Sequence, residues 1–389
     1  LAICTGADTE SRIEGILESL LDELATERSE KFDLVKRCNL TGFLWKELEN
    51  RFGYLSDSPS IPDFVIALFK ASYVLSLEED AALNQDALVF LKRWKNDRRY
   101  TQAFETLSAE CADALGIEKD LQKRDIQNLI EIDYFELIDQ KILSTLVQEI
   151  MQRTISAGEC AGTIGRRRNT HWFEIFRDVY EALYHASQFI AVLDKIDLQM
   201  KSLTEGVSKY EKTWYRLDQH YRKFIYHLRA SKQTTLLQGL NEQVENLYSN
   251  NYLLPVNDNW QQIVDTTETW DATPIIGQSY FFERFIVEYF KSKNKVAVII
   301  SDALRYEIGE ELSRTIEAKD RYTTDLIPVL SVLPSYTQLG MAAMLPHQDL
   351  SILKNGTVQV DGQSASGTEN RAKILAPFNA TAIRSADLL

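Results

Sequence analysis

Through most of the chain, apolar residues recur at three- and four-residue spacing; near the C-terminal end the pattern changes to short continuous apolar runs. In SRIEGILESLLDELATERSEKF, Ile13, Ile16, Leu17, Leu20, Leu21 and Leu24 fall on one helical face. Ser11 stands where that helix would be capped. The same spacing predicts helices around residues 41–52, 62–97, 100–115, 120–156, 171–200, 209–231 and 234–249. No proline occurs between Pro62 and Pro255, as a helical region requires, because a helix interior excludes proline. The aromatics of HWFEIFRDVYEALYHASQFIAVLDKI read as helix-packing core. The stretch SAGECAGTIGRRRNTH (156–171), with three glycines and the run Arg166, Arg167, Arg168, reads as a loop. Its arginines suit a solvated loop, or contact with phosphate or an acidic partner.

After NNYLLPVNDNW the character changes. Pro255 and Pro274 flank a polar segment, and residues 256–278 read as a linker. A helix over 279–292, a strand over 295–301, a helix over 303–318, a strand over 322–333 and a helix over 337–345 follow. Strands alternating with helices predict a parallel sheet covered on both faces, with ligands beyond the carboxyl ends of its strands. The expected architecture is a mostly α-helical region over 1–255, divisible near 156–171, followed by the start of an α/β domain over 279–389. An unfinished sheet exposes an edge, so part of 350–389 is expected to be poorly ordered, and VDGQSASGTEN reads as a mobile loop.

The 389 residues suffice for two or three domains, and no apolar run reaches the length of a membrane span. The first residues, LAICTGADTE, lack the basic and apolar regions of a secretory signal and a starting Met, so the chain reads as a piece of a longer protein. Cys4, Cys38, Cys111 and Cys160 form no CxxC pair, which argues against a zinc ribbon and for a reducing, cytoplasmic location. The five histidines form no HExxH motif; His220 and His227, seven apart, share a helix face and suit a core or surface role. The net charge of −14 is uneven: from residue 290 onward 11 Lys or Arg balance 11 Asp or Glu, so the acidic surplus belongs to the helical region. Such a region repels a phosphate backbone and suits a basic protein partner.

Candidate chemistry gathers at the two strand ends. In VAVIISDALRYEIGEELSR, Asp302 ends the apolar run, either as a helix N-cap or as a ligand to a cation at the sheet rim. In SVLPSYTQLGMAAMLPH, Ser335 and Gln338 match a capping box, and Thr337 lies in the first helical turn, where its hydroxyl is a plain helix start or a nucleophile beside a cation. Gly340, Ala342 and Ala343 would let this helix approach the sheet closely. Arg305 lacks a carboxylate four residues on, where Gly309 stands, which leaves it for a phosphate oxygen or a nearby carboxylate. Glu307, Glu310 and Glu311 read as a solvated helix face.

The pair VIISDALRYEIGEEL and LPSYTQLGMAAMLP resembles the PglZ domain, a branch of the alkaline phosphatase superfamily, closely over residues 280–346. With the helical region in front, the chain is similar to the type A PglZ proteins of BREX bacteriophage-defence systems. The resemblance implies an alkaline-phosphatase-like α/β fold and a metal-dependent phosphatase or phosphodiesterase using zinc or manganese. It implies Asp302 as a metal ligand and Thr337 as the metal-bound nucleophile, with Ser335 as the fallback and Arg305 in support. The implied partners are other BREX defence proteins, and the implied substrate is a phosphoester, nucleic acid among the candidates, with no membrane. The superfamily's further Asp and His ligands have no counterpart in this sequence; His347, Asp325, Asp349 and Asp361 match no ligand motif. Activity is therefore expected of the full-length protein and not of this piece. The alternative is a scaffold that docks other defence components through its acidic helices.

Overall fold

A computed structural model of the chain describes residues 1–7, 12–291 and 295–387. Among the described residues the fold is mostly helical, with one small parallel strand pair and one antiparallel meander near the C-terminal end. By contact the chain divides into two compact units, Leu1–Ala191 with Lys223–Val244, and Val192–Arg222 with Glu245–Leu389.

The first unit is built of helices that each bury the face the spacing picks out. Helix Ile13–Ala25 buries Ile16, Leu17, Leu20 and Leu21. It starts after Arg12; the cap assigned to Ser11 lies outside the described residues. The expected 62–97 helix is two, Ile61–Ser76 and Gln85–Lys95, each started by a side-chain cap, Ser60 and Asn84. The expected 120–156 helix is also interrupted, and only Glu136–Gln152 is long. Helix Phe173–Leu193 buries Phe173, Phe176, Tyr180, Leu183 and Phe189, so its aromatics are core, as their spacing requires.

The stretch expected as a loop at 156–171 is a helix, Ala157–Arg167. Ser156 and Glu159 form a complete capping box, the Ser156 hydroxyl accepting from Glu159 N and the Glu159 carboxylate from Ser156 N. Two backbone donors satisfied at once outweigh the propensity cost of the glycines. Of the arginine run, Arg166 and Arg168 are exposed, as a solvated stretch would have them, and both are ion-paired; Arg167 is not. Arg166 pairs with Glu131 at 2.6 Å and Arg168 with Glu181 at 2.9 Å. Arg167 is fully buried. It makes a two-pronged pair with buried Asp139 and donates to the carbonyls of Ile130 and Ile132 at 2.8 Å each. Tyr180 adds an O–H bond to Asp139 at 2.6 Å. A buried charge pair is tolerated when its remaining donors and acceptors are satisfied, and here the network does so.

In the second unit, residues 256–266 of the expected 256–278 linker belong to a helix, Leu254–Thr266, which continues without a break from the π-helical turns Leu247–Leu253 that precede Pro255. The parallel pairing is confined to Ile276–Gly277 with Val329–Leu330. The expected strand 295–301 does not form. Val296, Val298, Ile299 and Ile300 are exposed, Ile299 at 91%. A parallel strand needs neighbours that pair with it and layers that cover both faces, and among the described residues this run has no ladder partner. The expected strand 322–333 shrinks to Val329–Leu330 for the same reason.

Part of 350–389 was expected to be poorly ordered, with VDGQSASGTEN (360–370) a mobile loop; instead Leu350–Ile352, Val358–Val360 and Gln363–Ser364 form an antiparallel meander. Asp361 and Gly362 both have positive φ, 49° and 77°, which makes a two-residue hairpin of the primed kind. The Asp361 carboxylate accepts from the amides of Gln348 and Asp349 at 3.0 and 2.7 Å, which holds its pKa below the ordinary carboxylate value. Val358, Val360 and Ala365 pack with Leu339, Ala342 and Leu345, so the meander forms the floor under helix Thr337–Ala343.

Candidate functional site

Thr337 opens the helix Thr337–Ala343, whose Ala342 and Ala343 are fully buried, Ala342 against the meander. Gln278 fixes the other side. Its amide donates to the Gly340 carbonyl at 3.2 Å, and its oxygen accepts from Val332 N at 3.2 Å. A Cβ on Gly340 would come within 3.3 Å of that amide nitrogen, so the glycine makes room for a side chain and not for the sheet. The capping box expected of Ser335 and Gln338 is absent: Tyr336 is the capping residue, so Gln338 falls one position short of where a box needs it.

Asp302 is not a helix cap. Its helix begins at Tyr306, after Arg305, and Ala303 between them takes a left-handed backbone with φ 55°. That turn leaves the Asp302 carboxylate toward Thr337. The Thr337 hydroxyl lies 3.3 and 3.4 Å from the two Asp302 oxygens, across 35 residues of sequence. These distances are longer than an ordinary O–H···O bond. They are close to the separation of about 3 Å between two oxygens bound to one zinc-sized ion. Both side chains are exposed. Two clefts of the same unit, one along Asp271–Gly277 and Tyr280–Glu288, the other between Ser279–Glu283 and the 345–348 and 373–378 segments, are lined by neither.

Arg305 is engaged, not free. Its guanidinium lies 3.1 Å from Glu307 and 3.4 Å from Asp218. Burial works against its charge, but the two carboxylates outweigh it and raise its pKa above the ordinary value. Asp218 is itself buried and accepts from Tyr210, Tyr248 and Tyr252 at 2.6, 2.7 and 3.3 Å. All three tyrosines sit in the π-helical segments Tyr210–Trp214 and Leu247–Leu253, whose wider turns aim the phenols at one carboxylate. Burial, then the Asp218 charge, pushes all three phenols up. Glu307, expected on a solvated face, is fully buried, and Glu311 pairs with Arg222 at 2.5 Å. That helix face is turned toward residues 215–222 of the same unit, which no local pattern announces.

Residues 281–389 match the family described as the BREX system PglZ alkaline phosphatase-like domain. The chain carries a PglZ domain. It is similar to the alkaline phosphatase-like protein PglZ of Bacillus cereus (strain H3081.97), 28% identical over 394 residues, covering 97% of this chain and 46% of that protein. It is also similar to the alkaline phosphatase-like protein BrxZ of Escherichia coli O9:H4 (strain HS), 31% identical over 424 residues, covering 100% of this chain and 49% of that protein. The chain thus spans about half the length of these curated relatives. No solved structure matches it significantly. Asp302 and Thr337 both lie inside the PglZ domain. Among the described residues, no third His, Cys, Asp or Glu gathers with Asp302; the one such cluster is Glu181, His185 and His227, in the helical unit. His347 donates from Nδ1 to the Leu345 carbonyl at 2.7 Å. The thiols of Cys4 and Cys38, far apart in sequence, lie 3.8 Å apart. No helix among the described residues is long and apolar enough to cross a membrane.

Proposed function

We propose that the full-length protein is a metal-dependent phosphatase or phosphodiesterase of a BREX defence system, with Thr337 as nucleophile and Asp302 as a ligand to its metal. The observation that carries this reading is the approach of the Thr337 hydroxyl to both Asp302 oxygens, 3.3 and 3.4 Å, within a PglZ domain. Asp302 and Thr337 offer one carboxylate and one hydroxyl, a donor set suited to a borderline or hard cation but too small to hold one tightly. The proposal assigns the remaining ligands to the part of the longer relatives that this chain does not span. A bound zinc or manganese ion would favour the ionised hydroxyl. With its proton released to solvent, the Thr337 oxygen would be the group that bonds to phosphorus as the bond to the leaving ester oxygen breaks, that oxygen taking up a proton from solvent, and water would later displace the Thr337 oxygen from phosphorus. Arg305, three residues after Asp302, is held by Glu307 and Asp218 and in this reading supports the site through the backbone they share.

The acidic surplus before residue 290 favours a second role for the helical region, docking a basic protein of the same defence system. A complex of that kind would dissociate as salt is raised. The enzymatic reading is tested in the full-length protein on a generic chromogenic phosphodiester with added zinc or manganese. Thr337→Ala and Asp302→Ala should each lose at least about 100-fold in kcat/KM, about 2.7 kcal/mol, with folding intact. Activity equal to the parent in either variant would remove the site.

A further inference from the structure

Glu181, His185 and His227 each bring one ligand atom to within 4.8 Å of the others. We propose that these three residues form a zinc-binding site in the helical unit, built without Asp302 or Thr337. Glu181 and His185 are four residues apart on helix Phe173–Leu193, so both side chains stand on one face, one turn apart. His227 comes from helix Tyr215–Ser231, and its ring lies parallel to that of His185, 5.8 Å between centroids and 10° between planes. Two imidazoles from separate helices thus meet over the same carboxylate.

The surrounding contacts suit metal binding. Asp178, one turn before Glu181, lies 2.8 Å from His227 Nδ1. A carboxylate at that nitrogen keeps the proton on Nδ1 and the lone pair on Nε2, the tautomer a metal requires, and raises the ligand's basicity. Arg168 holds one oxygen of Glu181 at 2.9 Å, which orients the carboxylate and leaves its second oxygen for an ion. His185 is buried, 7% exposed, so a bound ion would have little competing water on that side. Two imidazoles and one carboxylate select zinc over magnesium or calcium, which take oxygen donors, and leave a fourth tetrahedral position for water. Ligand atoms around a tetrahedral zinc lie about 3.3 Å apart.

The chain, freed of metal with a chelator, is titrated with zinc alone by calorimetry and with cobalt by visible absorption. The site predicts one equivalent of zinc, retained when Asp302 and Thr337 are both changed to Ala, and the absorption bands of tetrahedral cobalt. His227→Gln, on the more exposed of the two rings, should weaken zinc by at least about 100-fold and abolish those bands. Asp178→Asn, which touches no metal, should weaken zinc by about 10-fold and keep the cobalt spectrum. Melting of each metal-free variant separates loss of a ligand from loss of the fold, and Asp178→Asn decides the matter if His227→Gln does not fold. No zinc bound to the parent, or zinc bound as tightly by the variants as by the parent, overturns the site. Zinc lost with the Asp302/Thr337 double change overturns it too, while leaving the phosphoesterase reading standing.

Discussion

Leu183 and Ile299 are both large aliphatic residues in strongly apolar stretches, yet Leu183 is fully buried and Ile299 is 91% exposed. Leu183 belongs to the helical unit and Ile299 to the PglZ domain. The contrast extends to polar contacts. In the helical unit Arg167 and Asp139 are sealed inside a satisfied network, whereas Asp302 and Thr337 meet at the surface, the Thr337 hydroxyl facing the two Asp302 oxygens. A helix closes its hydrogen bonds within itself and asks its neighbours only to cover one face. A parallel strand asks for partners on both edges and layers on both faces. The helical unit finds what it needs within its own residues; the run 296–300 does not.

That contrast can be broken experimentally, most severely at Arg167. Replacing it with Ala strands the Asp139 carboxylate in the core and should cost about 3–5 kcal/mol, read as the change in denaturation midpoint. Leu183→Ala, which opens a cavity at a fully buried site, should cost about 2–5 kcal/mol. Alkaline pH acts on the same core. Burial pushes the Cys160 thiol up to about 11, so in the folded state it stays protonated where the unfolded chain has lost its proton. Its contribution is complete below about pH 9 and is lost as pH rises through about 11, a change of about 2–3 kcal/mol. Chemical denaturation at pH 8 and pH 11 should show that loss, reduced in Cys160→Ala. Ser156→Ala, which removes the capping hydroxyl, should cost about 1 kcal/mol. Ile299→Ala should change stability by no more than about 0.5 kcal/mol; a cost as large as that of Leu183→Ala would mean the run is covered in solution and the contrast is false.

Legibility followed the same division. Helix positions and their buried faces could be read from spacing because the information is local, as in Ile13–Ala25 and Phe173–Leu193. The helix Ala157–Arg167 was hidden by its glycines, although Ser156 and Glu159 three residues later carried the signal. The Asp361–Gly362 dipeptide was a hairpin signal inside a stretch that composition marked as loop. The proximity of Asp302 and Thr337 was expected from the resemblance of their two motifs to the PglZ domain, not from the residue pattern alone, and the strand before Asp302 does not form. The surroundings of Arg305 were not legible: Asp218 is 87 positions away, and its three tyrosines are aimed by π-helical turns that no apolar period predicts. His185 and His227 likewise meet only because two helices are packed together.

The central claim is that Asp302 and Thr337 act as one chemical unit. A double-mutant cycle in the full-length protein, with Asp302→Ala, Thr337→Ala and both together, measured as kcat/KM on a phosphodiester, addresses it directly. If the two groups work through one site, the double variant loses no more than the worse single variant. Losses that multiply, or a single variant as active as the parent, would contradict it.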